Sequence, residues 1–138
     1  MAHALFLSGS AIFVVLGLVH GLLALRDLAS PRWFTPTDPA VRDAMAKAPL
    51  ALAPQTTVWQ AWLGFNLSHS LGLVVFGAVF GAVALRDFAW LHANPILRVT
   101  PVAVSLIYAI LAVRFWFWVP ALASALGCAC LLAAAIVE

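Results

Sequence analysis

Four long apolar stretches run through the chain, and an extended polar segment separates the first stretch from the second. The apolar stretches lie at about residues 4–25, 58–85, 101–118 and 120–137. Each is close to or longer than the roughly 20 residues that a helix needs to cross the hydrocarbon core of a bilayer. Because the later connections are short, consecutive helices should run antiparallel. The pattern predicts an all-α membrane protein, with residues 1–138 forming a single up-down-up-down four-helix transmembrane bundle.

The polar segment, residues 28–56, contains the pattern of one short helix. Asp38 can cap a helix whose first residue is Pro39, and Pro49 ends it. Apolar and charged side chains alternate at helical spacing between these points, which predicts a helix over about 39–48. Such a helix can lie on the membrane surface, or it can be an ordinary ordered part of the loop.

Capping patterns also predict where the later helices begin. Thr57 and Gln60 have the spacing of a capping box, so Gln60 is assigned a structural role. Two prolines could open the third helix, Pro95 after Asn94 and Pro101 after Thr100. A proline inside a helix removes a backbone hydrogen bond, so we place the start at Pro101. The third helix should then end at Trp118, and Pro120 opens the fourth.

The second apolar stretch differs from the others because it carries many polar side chains. At 100° per residue one face of this helix combines polar and aromatic residues with small ones. These are Trp59, Trp62, Asn66, His69, Ser70, Leu73, Gly77 and Gly81. A second stripe of Gly64, Ser68 and Gly72 lies opposite. Small residues allow helices to approach closely in lipid and polar ones seek partners, so this helix is predicted to be central.

Composition supports a membrane protein and excludes nucleic-acid binding. Hydrophobic residues make up 65% of the chain and charged residues 9%, whereas soluble domains have about 45–50% and about 25%. The net charge is +2 and no basic block occurs, so the electrostatic footprint of a nucleic-acid-binding protein is missing. The expected partner is therefore the lipid bilayer.

The distribution of basic residues predicts the orientation in the membrane. Most fall on the side of the first and third connections, namely Arg26, Arg32, Arg42, Lys47 and Arg114, whereas Arg86 and Arg98 fall on the other. Cytoplasmic loops carry the excess of basic residues. Both termini are therefore expected outside the cytoplasm.

His20 and His69 are the residues best suited to chemistry, because both lie inside apolar stretches. Two facing histidines could ligate a haem or a metal, although a metal would lack a third ligand. They could equally form a polar network between helices with Asn66 and Ser70, or line a ligand pocket. The candidate binding residues are His20, Trp59, Trp62, Asn66, His69, Ser70 and Arg114. Arg114 could bind an anion or lipid headgroup, or simply extend to the interface.

Groups needed for other chemistries are missing from the sequence. No Asp or Glu lies inside an apolar stretch, which argues against a proton-coupled carrier. No Ser-His-Asp set occurs. Cys128 and Cys130 point about 200° apart on a helix, so they can neither bridge nor share a metal. The sequence therefore favours a protein that is not an enzyme.

The run from Trp62 to Gly72 reads Trp-x-Gly-Phe-Asn-x-Ser-His-Ser-x-Gly. Arg32-Trp33 precedes it, and the run Arg114-Phe-Trp-Phe follows it. This pattern resembles small bacterial four-span inner-membrane proteins of unassigned function, over roughly two thirds of the chain. The resemblance implies a bacterial inner-membrane location and no particular activity.

Two hypotheses follow from the sequence. The first is a non-enzymatic membrane protein, without cofactor, that binds a lipid, a small amphiphile or a partner membrane protein near the cytoplasmic leaflet. It could act as a homo-oligomer or as a subunit of a membrane complex. The second is a redox-associated membrane subunit with a haem or metal held by His20 and His69.

Overall fold

A computed structural model describes residues 1–137 of the chain, and within that range the secondary structure is entirely helical. The helices are α1 (Ala2–Ala29), α2 (Pro39–Lys47), α3 (Val58–Ala93), α4 (Pro95–Phe115) and α5 (Trp118–Ile136). In the described part of the chain, α1, α3, α4 and α5 are long and apolar enough to cross a membrane. The prediction of an all-α protein with four long apolar helices is confirmed.

The predicted caps of α2 and α3 are present. Asp38 Oδ1 accepts a hydrogen bond from Ala40 N at 2.8 Å, and Pro39 is the first residue of α2. At the start of α3, Gln60 N donates to Thr57 Oγ1 at 3.3 Å, and Thr57 N donates to Gln60 Oε1 at 2.9 Å. The backbone N–H groups of Thr57 and Gln60 are thereby satisfied, which confirms the structural role of Gln60.

The start of α4 differs from the sequence prediction. The helix begins at Pro95, because Asn94 Oδ1 accepts from both Ile96 N and Leu97 N at 3.0 and 3.3 Å. Pro101 lies inside the helix and is buried, so packing outweighs the backbone hydrogen bond that it removes. The predicted boundary between α4 and α5, with Trp118 as the last residue of one and Pro120 as the first of the other, was also wrong. Helix α4 ends at Phe115, and Trp118 is the first residue of α5.

Helix α3 continues past Leu85, where the apolar stretch ends, but with a kink. Asp87 leaves helical geometry, with φ −156° and ψ 85°. Its Oδ1 accepts a hydrogen bond from Trp90 N at 2.8 Å, as an N-cap does. The Arg86-Asp87 pair therefore ends one helical segment and starts a short second one.

Residues 1–16 and 73–137 form one compact unit, here called the four-helix unit. In it α1 runs antiparallel to α3. Phe6 of α1 contacts Phe88 of α3 at 5.9 Å between ring centroids, and Phe13 contacts Phe76 at 5.1 Å. Gly9 of α1 lies close to Leu131 of α5, since a Cβ added at Gly9 would be 2.8 Å from Leu131 Cγ. Helices α4 and α5 pack against each other.

Phe13 lies at the core of the four-helix unit. Its side chain is fully buried and touches the other three helices, at Phe76 of α3, Tyr108 of α4 and Gly127 of α5. Phe76 of α3 also contacts two other helices, through Phe13 of α1 and Tyr108 of α4. The central position of α3 in the bundle stays a prediction.

Residues 17–72 form the second compact unit, here called the three-helix unit, with the end of α1, all of α2 and the start of α3. Its two longer segments approach closely, since a Cβ added at Gly21 would lie 3.2 Å from Ser70 Cβ. Gly64, in the predicted stripe opposite, faces open space, because a Cβ there would meet nothing within 4 Å. Ser68 is also exposed, with its hydroxyl donating to Phe65 O at 3.0 Å.

Candidate functional site

A hydrogen bond between two helices lies at the heart of the three-helix unit. His20 Nε2 donates to Asn66 Oδ1 at 3.0 Å. The orientation of the amide is fixed because Asn66 Nδ2 donates to Trp62 O at 2.8 Å. Both ends of the Asn66 side chain are thus used within the protein. With neutral His20, this bond also places the imidazole proton on Nε2.

Asn66 and Ser70 are structural parts of this network. Asn66 is completely buried, and Ser70 is nearly so. Ser70 Oγ donates to Asn66 O at 2.6 Å, and Ser70 also lies against Gly21 of α1. Both side chains make these contacts inside the protein, and Asn66 is the one that accepts the hydrogen bond from His20.

The more accessible part of the site is a row of three stacked rings along α3. Phe65 stacks on His69 with ring centroids 5.8 Å apart, and on Trp62 at 6.5 Å. The His69 ring also meets the His20 ring edge-on at 5.4 Å. Phe65 is 52% exposed, whereas Trp62 and both histidines are partly buried. We call His20, Phe34, Trp62, Phe65, Asn66, His69 and Ser70 the polar-aromatic cluster.

Phe65 was not among the residues chosen from the sequence, although a signal existed. It follows Trp62 by three residues and precedes His69 by four, so the three share a helix face. The exposure of that face makes Phe65 a candidate, and periodicity alone does not give this exposure.

The buried carboxylate of Asp27 fixes a loop that contacts the polar-aromatic cluster. Asp27 is fully buried at the end of α1. Its Oδ1 accepts from Arg32 N at 3.1 Å and Trp33 N at 2.9 Å. Its Oδ2 accepts from Phe34 N at 2.7 Å and from the Thr35 hydroxyl at 3.2 Å. The carboxylate therefore fixes the backbone of residues 32–35, which we call the Asp27 loop.

The Asp27 loop contacts the cluster through Phe34. Trp62 Nε1 donates to Phe34 O at 2.8 Å, and the Phe34 ring lies 4.6 Å from the His20 ring. Trp33 next to it is 52% exposed, with the Arg32 guanidinium 5.1 Å above its ring. The loop thus covers one side of His20 and presents a basic and aromatic pair to the surroundings.

Trp59 and Arg114 lie outside the polar-aromatic cluster. Trp59 is buried at the start of α3, with the Arg42 guanidinium of α2 5.7 Å from its ring centroid. Arg114 belongs to the four-helix unit, where its guanidinium lies 5.4 Å from the exposed ring of Phe115. Of the seven candidate residues, the three-helix unit therefore contains all except Arg114.

The geometry at His20 fits hydrogen bonding better than metal ligation. In the described residues, no three His, Cys, Asp or Glu side chains are grouped as metal ligands. A porphyrin held between His20 and His69 would have to separate two rings that are in contact and break the bond to Asn66. Haem or metal binding at this pair remains the alternative hypothesis, and the absence of a cofactor stays a prediction.

Comparisons of the chain with protein-family models, curated proteins and solved structures find no match. The resemblance to small bacterial four-span proteins therefore remains a prediction.

Proposed function

We propose that this integral membrane protein is not an enzyme and binds a lipid or small amphiphile through its polar-aromatic cluster. The observation that supports this proposal most is the exposed ring of Phe65, stacked between Trp62 and His69. Aromatic rings offer apolar contact area to an acyl chain, and an imidazole can donate to or accept from a headgroup. This surface therefore places apolar rings directly beside a polar imidazole, as contact with an amphiphile requires.

The Asp27 loop adds the features of a membrane interface. Exposed tryptophan and arginine side chains such as Trp33 and Arg32 are typical of the headgroup region. The basic residues Arg26, Arg42 and Lys47 belong to the same three-helix unit. By the positive-inside rule, we assign this unit to the cytoplasmic leaflet of a bacterial inner membrane, with both chain termini on the opposite side.

A partner membrane helix is the second candidate, and it would bind the other side of α3. Gly64 has open space where a Cβ would lie, and Ser68 one turn later is exposed. Small residues at this spacing allow another helix to approach closely in lipid. A second copy of the chain or a subunit of a membrane complex could supply that helix.

The test measures co-purified lipid and thermal stability together. The protein is purified in a mild non-ionic detergent, and bound lipids are quantified by mass spectrometry for wild type and for His69→Leu. We expect His69→Leu to remain folded and to lose most of the ligand. Ser68→Ala, an exposed change on the other side of the helix, is the matched control and should retain it.

Three other outcomes would contradict the lipid proposal. Unchanged ligand content in His69→Leu, with slightly lower stability, would leave a purely structural network. A protein that co-purifies with wild type but not with Gly64→Leu would favour the partner helix. A Soret band in the absorption spectrum, lost in His20→Leu, would favour the redox alternative.

A further inference from the structure

The four-helix unit contains a cavity that the proposed function does not use. Its volume is about 490 Å³, and it lies where α1 and α4 begin and α3 and α5 end. Most of its wall is apolar, formed by Ala2, Phe88, Ala89, Ala93 and Val137. Ligand cavities in proteins are commonly about 300–1,000 Å³ and mainly apolar. This cavity is therefore large enough for a small amphiphile.

The polar groups lining the cavity are both nitrogen donors. Arg98 is partly buried, and no carboxylate of residues 1–137 lies within salt-bridge distance of it. His92 also lines the cavity, and its buried Nε2 has no hydrogen-bond partner in the described structure. Buried polar groups normally have partners, so each exception calls for an explanation. An anionic oxygen would supply partners to both side chains.

The aromatic wall of the cavity is held in place from several sides. The Phe88 ring stacks on His3 with centroids 4.9 Å apart and meets Phe6 edge-on at 5.9 Å. On its own helix it lies 5.6 Å from the His92 ring. A wall fixed by such contacts needs little reordering when a ligand binds, which lowers the entropic cost of binding.

We propose that this cavity binds an anionic amphiphile, with its carboxylate or phosphate at Arg98 and His92 and its acyl chain along the alanine and Phe88 wall. Arginine matches the geometry of both anions, and a charge-assisted hydrogen bond is stronger in an apolar environment than in water. The site shares no residue with the polar-aromatic cluster, so either site can fail while the other stands.

The experiment titrates delipidated protein in a non-ionic detergent by isothermal titration calorimetry. The probes are dodecyl phosphate, laurate, neutral monolauroylglycerol and inorganic phosphate. We expect dodecyl phosphate and laurate to bind more tightly than the neutral probe. Arg98→Gln should weaken binding of both anions about tenfold or more, as expected for a hydrogen bond to a charged group. Arg86→Gln, an exposed arginine of α3 outside the cavity, should bind like wild type.

A cavity-filling variant separates this site from non-specific detergent-like binding. Ala89→Phe should reduce binding of both anions while thermal unfolding shows that the fold is kept, and it should do so equally in a His69→Leu background, where the polar-aromatic cluster is already disrupted. Equal binding by wild type and Arg98→Gln would overturn the proposal. Inorganic phosphate that binds as tightly as dodecyl phosphate would overturn the role of the acyl chain. If only one of the two anions binds, that result identifies the headgroup and supports the site.

Discussion

His20 Nε2 donates a hydrogen bond to Asn66 Oδ1 at 3.0 Å, and this bond joins α1 to α3 within residues 17–72. The connection continues from Asn66 Nδ2 to the carbonyl of Trp62, and from the Trp62 indole to the carbonyl of Phe34. A single buried amide therefore links two helices and the Asp27 loop. The donors and acceptors of this series are paired with one another inside the protein. The series therefore holds in place the surface that we propose binds a ligand.

Replacing Asn66 by Leu should destabilise the protein without changing its helix content. The bond from His20 is worth about 0.6–2 kcal/mol between membrane helices, and leucine would also leave the His20 nitrogen without that acceptor. Thermal unfolding in detergent, followed by circular dichroism, should show a lower Tm. Ser68→Ala is the control and should remain within about 0.5 kcal/mol of wild type. Equal Tm values for Asn66→Leu and wild type would mean that the bond contributes nothing.

Asp27→Asn tests the carboxylate that organises the Asp27 loop. Asparagine keeps one acceptor oxygen but places an NH₂ group where the other oxygen accepted from Phe34 N and Thr35 Oγ1. We expect a loss of about 1.5–3 kcal/mol, typical of hydrogen bonds to a charged group. Proteolysis within residues 32–35 should also become faster.

The matched control for Asp27 is Asp87, which follows the same Leu-Arg pair in the second apolar stretch. Asp87 is exposed and accepts one hydrogen bond, from Trp90 N, as a helix cap. Asparagine caps helices about as well as aspartate, so Asp87→Asn should have little effect. If the two variants lose equal stability, the Asp27 loop does not depend on the buried carboxylate.

The glycines of α3 should respond differently to alanine. A Cβ at Gly77 would overlap Ser10 O and would lie 2.8 Å from Val14 Cγ2. Overpacking of this kind costs about 1–3 kcal/mol. At Gly64 nothing is in the way, and alanine should gain roughly 0.5–1 kcal/mol through its better helix propensity. Thermal unfolding of the two variants should therefore shift Tm in opposite directions, and a shift of the same sign would contradict the assigned faces.

Features determined by neighbouring residues could be predicted from the sequence. The capping box of Thr57 and Gln60 and the cap at Asp38 depend on residues only two or three positions apart. The inward face of α3 follows from helical periodicity, and Asn66, Ser70 and Gly77 are buried there. In these cases a local pattern contains all the physical information that decides the outcome.

Features determined by packing could not be predicted in the same way. The start of α4 depended on whether burial of Pro101 compensates for its missing hydrogen bond. The role of Asp27 is not indicated by its neighbours in the sequence, because the loop that returns to its carboxylate has no periodic pattern. The exposure of Gly64 likewise depends on how neighbouring segments pack, since the sequence shows its helix face but not what that face contacts.

The last prediction concerns orientation in the membrane. Lys47 and Ala93 are both exposed, and the chain between them includes one long apolar helix, α3. Single cysteines at these positions, in a background without Cys128 and Cys130, should therefore label from opposite sides. Ala93 is preferable to Asn94, whose side chain caps α4. Because basic residues accumulate around the Asp27 loop and α2, a membrane-impermeant maleimide added to intact cells should label position 93 and not position 47. Labelling of position 47 alone would invert the orientation and place the polar-aromatic cluster at the outer leaflet.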